Sequence, residues 1–89
     1  MELEKIRVQI DEIDDALVRL FVRRMELSAQ VADYKKANSM PIYVPAREQE
    51  ILKAISEKAG SELSEYACSL YAKIFELSRS YQDKRNASE

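Results

Sequence analysis

Arg24 is the residue that most demands a chemical explanation. It stands between Leu20 and Leu27, where the surrounding apolar repeat calls for another apolar side chain. A guanidinium on a buried face needs an anion, because an unpaired charge taken out of water is very costly. No acid shares that repeat. The anion therefore comes from another helix, with Glu48 as a candidate ion-pair partner, or from a ligand. Lys35 follows eleven residues later, three turns along nearly the same face, with Ser28 and Val31 between them. Alone, Lys35 reads as a cation offsetting a helix C-terminal dipole. With Arg24 it makes a positive strip beside an apolar core.

Two polar residues near the C-terminus match this strip. Ser78 and Gln82 are four apart, on a stripe otherwise held by Ile74, Leu77 and Tyr81. They mark either a helix end turning toward water or a buried polar patch, and a buried Gln needs partners for its amide. Arg47 and Glu48 adjoin a proline-containing loop, where Glu48 could simply be an acid favoured in a first helical turn. Arg7 lies seventeen residues before Arg24, about 25 Å of helix, too far to join it within one chain. It is either a solvated surface residue or, in an antiparallel dimer, a group approaching the middle of the partner's helix. Taken together, these positions fit a pocket with several cations, one carboxylate and one neutral amide. Such a pocket suits a small dianion carrying an uncharged polar group.

The composition removes much other chemistry. There is no His, which excludes Ser-His and Cys-His catalysis and the usual zinc sites, and no Gly-rich phosphate loop occurs. No metal site and no cofactor are expected. The formal net charge of -2 argues against a general nucleic-acid binder. No apolar run approaches the roughly 20 residues of a membrane span. Met1 to Lys5 carry no apolar export segment, and the lone Cys68 cannot form an internal disulfide, so a reducing, cytoplasmic location is expected.

These residues must be positioned by helices. With one Gly, two Pro and 34% charged residues in 89, the chain has the composition of a single all-α domain spanning 1–89. Ile6, Ile10, Ile13, Leu17, Leu20, Leu27 and Val31 recur in steps of three, four and seven, so a long helix is predicted from about Leu3 to Asn38. Pro41 and Pro45 break the pattern, with Pro45 placed to open a second helix over about 46–58. Ile51, Leu52 and Ile55 should face inward there. Gly60 and Ser61 end it. A third helix is predicted over about 62–84, with Ala67, Leu70, Tyr71, Ile74, Phe75, Leu77 and Tyr81 as its apolar stripe and residues 85–89 frayed. The first helix alone would be a rod of roughly 50 Å, whereas a compact globule of this length has a radius of gyration of about 12 Å. Two shorter helices cannot cover it, so a homodimer is expected to bury the exposed seam.

The ordered pieces resemble a known family, the all-helical (type II) chorismate mutases. The resemblance rests on Ile6-Arg7-x-x-Ile10-Asp11-x-Ile13-Asp14-x-x-Leu17-x-x-Leu20, Arg23-Arg24 with Glu26-Leu27, and Val31 with Lys35. It continues through Pro41-Ile42, Arg47-Glu48 and Leu77-Ser78-Arg79-Ser80-Tyr81-Gln82. The family implies three helices, one long and two shorter, in an intertwined homodimeric bundle with two equivalent sites. It implies an isomerase that rearranges chorismate to prephenate, a step of phenylalanine and tyrosine biosynthesis, without a cofactor. By this resemblance Arg7 of the partner and Arg24 hold the two substrate carboxylates with help from Ser78. Lys35 and Gln82 donate to the ether oxygen, Glu48 accepts from the ring hydroxyl, and Arg47 supports the field. Val44 departs from relatives that carry an acid at its position and could contribute only through its main chain. Two other readings remain: an isochorismate-pyruvate lyase of the same fold, which Glu48 disfavours, and a non-catalytic helical dimerisation module, which leaves Arg24, Lys35, Ser78 and Gln82 unexplained.

Overall fold

The computed structural model describes residues 1–87, which form three helices: α1 (Glu2–Ala37), α2 (Pro45–Ala59) and α3 (Ser64–Ala87). Helix α1 runs for 36 residues, unbroken by Pro or Gly, with Glu2 and Glu4 at its positive end and Lys35 and Lys36 at its negative end. It sets the longest dimension of the molecule, 55 Å, and raises the radius of gyration to 16.2 Å. The chain is an open rod and clamp. Helix α3 packs against both α1 and α2, which do not pack on each other. A cleft is left between them, floored by α3.

Local chemistry fixes both connections. Ser39 adopts a left-handed φ of 54°, and Met40 N–H reaches back to the Lys35 carbonyl at 2.8 Å while Ser39 N–H bonds that of Lys36 at 3.3 Å. This is the paired hydrogen-bond pattern of a Schellman turn, built here on Ser rather than the usual Gly. Asn38 Nδ2 adds a bond to the Tyr34 carbonyl at 2.8 Å. The turn swings the chain back beside Lys35. Val44, held extended by the following Pro45, offers its carbonyl to Arg47 and Glu48 N–H and starts α2. Gly60 leaves α2 at φ 83°, ψ 163°, a conformation essentially restricted to Gly. Ser39→Gly should relieve the left-handed strain of a β-carbon and raise unfolding free energy by up to about 1 kcal/mol, measured by urea titration. A loss of stability would show that Ser39 holds the turn in some other way.

Helix α3 corrects the sequence reading at both ends. Ser61–Leu63 form a turn, so the helix starts at Ser64 and its first bond runs from Ala67 N–H to the Leu63 carbonyl. Residues 85–87, expected to fray, are helical. Arg85 Nη2 donates to both Asp33 oxygens at 3.1 and 3.2 Å, and Lys36 Nζ donates to the Asn86 carbonyl at 3.3 Å, so α1 clamps this last turn. Ser88 and Glu89, also expected to fray, lie outside the described residues.

Burial within one chain is sparse. Among the described residues, Ala29, Ala32 and Phe75 are the buried apolar ones. Phe75 meets Tyr71 edge-on at 6.0 Å, and Cys68 Sγ contacts the Leu52 carbonyl at 3.7 Å, tying α3 to α2. The seam of α1 stays open, with Leu17 53% and Leu20 66% exposed. Leu70, Leu77 and Tyr81, placed on the apolar stripe of α3 by their spacing, are exposed within one chain as well. The inward face of α3 is narrower than its apolar stripe because only the Ile74, Phe75 and Ser78 side meets another helix of the same chain. Among the described residues, no helix is long and apolar enough to cross a membrane.

Candidate active site

The cleft holds a cavity of about 330 Å³, within the range of small-ligand sites. Three elements line it. One face of α1 contributes Arg24, Leu27, Ser28, Val31 and Lys35, spaced by three, four and seven as a helix requires. The loop and first turns of α2 bring Val44, Arg47, Glu48 and Ile51. The facing stripe of α3 presents Phe75, Ser78, Arg79 and Gln82. Seven of the eight residues singled out in the sequence therefore meet in one cavity. Arg7 does not, being exposed on the far part of α1.

Each cation is held differently. Among the described residues no carboxylate pairs with Arg24. Its guanidinium lies over the rings of Tyr71 and Phe75, 5.9 and 5.7 Å from their centroids, which steadies the plane while leaving its N–H donors for an anion. The ion pair with Glu48 that the sequence left open does not form, because Glu48 is taken by Arg79 of α3. Lys35 Nζ folds back and donates to the Ile42 carbonyl at 2.9 Å. One donor is fixed and two remain, so the ammonium is aimed rather than free. Arg47 turns to the surface and pairs with Glu50, one helical turn away.

The polar residues of α3 are buried. Ser78 and Gln82 are each 6% exposed, and Ser28 of α1 joins them. Ser28 and Ser78 hydroxyls share a 2.8 Å hydrogen bond, and Gln82 Nε2 donates to Ser78 Oγ at 3.1 Å. The Gln82 Oε1 atom is buried without a partner. A buried amide with an unmet valence is uncommon and points to a group that arrives later.

Two contributors escaped the sequence reading. Arg79 pairs with Glu48, both partly buried, and stacks over the Tyr43 ring at 4.8 Å. The hydrogen bond from Arg79 to Glu48 raises the guanidinium pKa above its usual value, against some opposing desolvation. Arg79 was visible only as the neighbour of Ser78, one register position from the apolar stripe. Ser28 lay on the right stripe, and its i+4 spacing from Arg24 was the available signal.

The cavity's charged lining, four cations and one carboxylate, set among Leu27, Val31, Ile42, Ile51 and Phe75, has the chemistry to receive a compact molecule bearing more than one negative charge. Comparison with known proteins then gives the lineage. The profile of the family described as chorismate mutase type II matches residues 6–83, and the chain belongs to that family. It is 43% identical over 58 residues to the T-protein of Enterobacter agglomerans, a match covering 65% of this chain and 16% of that protein. It is 40% identical over 50 residues to the chorismate mutase of Methanocaldococcus jannaschii, covering 56% of this chain and 50% of that one. The 4-amino-4-deoxychorismate mutase of Streptomyces venezuelae is 33% identical over 46 residues, 52% of this chain and 45% of that protein. The chain thus matches half or less of the length of each of these relatives. No solved structure matches it significantly.

Proposed function

We propose that this chain forms a single domain, a chorismate mutase that converts chorismate to prephenate. Within one molecule, the ether carbon–oxygen bond breaks as a new carbon–carbon bond forms. No nucleophile or redox partner is needed. What the protein must supply is a compact reactive conformer and stabilisation of charge developing on the ether oxygen. The observation that carries the reading is the shared cavity of Arg24, Lys35, Glu48, Ser78 and Gln82, with the Gln82 amide incompletely bonded.

Arg24, with no acidic partner among the described residues, takes one substrate carboxylate, with Ser78 assisting. The two unused protons of Lys35 are available to the ether oxygen. For Gln82, turning the amide over lets the Ser78 hydroxyl donate to Oε1 and places an NH₂ donor at the position now unpartnered. Glu48 keeps a second oxygen to accept from the ring hydroxyl. Val44 lines the wall and brings no acid. Arg47, already paired with Glu50, contributes only to the field.

The second carboxylate requires a cation beyond those aimed into this cavity. Arg7 of a second copy supplies it in a homodimer, a reading supported by the open seam of Leu3, Ile6, Ile10, Ile13, Leu17 and Leu20 along α1. Intertwining of two rods would bury that seam. The free Cys68 thiol and the biosynthetic names of the relatives favour a cytoplasmic setting.

An absorbance assay with purified protein tests the reading. Loss of chorismate with matching formation of prephenate is expected. Salicylate and pyruvate from isochorismate would instead identify a lyase, and inactivity toward both a dimerisation module.

A further inference from the structure

Resting on that reading of the pocket, we propose that Arg79 makes the site selective for a neutral ring substituent, a hydroxyl, over a positively charged one, an ammonium.

Glu48 is the one carboxylate among the cavity-lining residues. Arg79 reaches it from α3, the helix on which α2 packs, thirty-one residues away in sequence, and is held from a second side by the face of Tyr43. The guanidinium is therefore not a loose surface charge that could swing away at little cost. A stacked, paired Arg has a fixed position, and losing either contact is unfavourable. Val44, also on the cavity wall, carries an isopropyl group and brings no second acid that could balance a further cation. The other lining cations, Arg24, Lys35 and Arg47, add positive field and no compensation.

A hydroxyl needs only one acceptor lone pair, which a carboxylate already paired with Arg79 still has. Hydrogen-bonding it adds no charge to the site. An ammonium in the same place must share that carboxylate with Arg79 and lie within a few ångströms of the guanidinium. Like charges at such separations in a partly buried site repel strongly. Arg79 thus acts against the wrong partner more than for the right one. Its pairing with Glu48 leaves the hydroxyl interaction intact and removes the attraction that a free carboxylate would offer to a cation.

The test compares kcat/KM for chorismate and for 4-amino-4-deoxychorismate near neutral pH, where the amine is protonated. It uses the full chain as wild type, Arg79→Met, Arg79→Gln and Arg79→Lys. The wild type should prefer chorismate. Both neutral variants should move the ratio toward the amine on the order of tenfold or more, whereas Arg79→Lys should keep most of the preference because it keeps the charge. A purely structural role for Arg79 would lower both substrates alike. A wild type active on chorismate whose ratio does not move in Arg79→Met and Arg79→Gln overturns the selectivity inference alone. A wild type that converts neither compound overturns the mutase reading and this inference with it.

Discussion

Lys35→Ala is expected to lower turnover by about 10²-fold or more while the three helices stay folded. The ammonium is fixed by one bond to the Ile42 carbonyl, in a turn that also binds the Lys35 main chain through Met40 N–H. The chain end of α1 and the loop therefore hold the donor in place before substrate arrives. On the proposed mechanism, removing it takes away a charge matched to the ether oxygen only as that bond breaks, so kcat should fall more than KM rises. The helix-ending turn does not depend on the side chain, and unfolding monitored by circular dichroism should change little. Gln82→Leu should behave similarly in turnover and differently in stability. The wild-type amide has a buried oxygen with no partner, so replacing it by an apolar side chain should leave the melting temperature unchanged or higher. Near wild-type turnover in either variant would remove that residue from the chemistry. A large fall in melting temperature for Gln82→Leu would show that its hydrogen bond to Ser78 holds the helices together.

The positions of the helices, and most of the pocket, follow from short-range rules. A 3.6-residue period, Pro45 opening α2 and Gly60 closing it predict elements within two or three residues of those observed. Arg24 and Lys35 stand out because a charge in an apolar repeat violates the pattern that builds the fold, and such violations cluster where a protein does something besides fold. What the pattern does not contain is pairing across the chain. The Glu48–Arg79 contact spans 31 residues and the Asp33–Arg85 contact 52. Neither has a signature in spacing, since any exposed Arg on α3 would look the same. The second of these holds helical a segment that composition alone assigns to fraying. The left-handed Ser39 was equally hidden, because the usual mark of such a turn is Gly. Leu70, Leu77 and Tyr81 lie on the apolar stripe of α3 and are exposed within one chain for a related reason. An apolar stripe says that a surface will be covered, not that the same chain covers it.

The seam of α1 leads to the second large effect. Arg7→Ala and Arg24→Ala should each cost on the order of 10²-fold in kcat/KM, since on the proposed reading each removes a charge-assisted, two-pronged grip on a carboxylate. Mixing the two inactive proteins should restore activity. In a two-fold dimer where each site takes Arg24 from one chain and Arg7 from the other, a heterodimer of the variants places both defects in one site and leaves the other whole. Random exchange makes half the dimers mixed, each with one working site of two, so activity should recover to roughly a quarter of wild type. Native mass spectrometry on differently tagged chains measures the exchange independently of activity. The open face around Leu17 and Leu20 favours this arrangement, because pairing two such rods would take a large apolar surface out of water. If mixed dimers form and activity stays at the level of the parents, Arg7 does not serve the partner's cavity. A sedimentation measurement giving a monomer would remove the shared site altogether, and the second carboxylate would then have to be held by Arg47 released from Glu50.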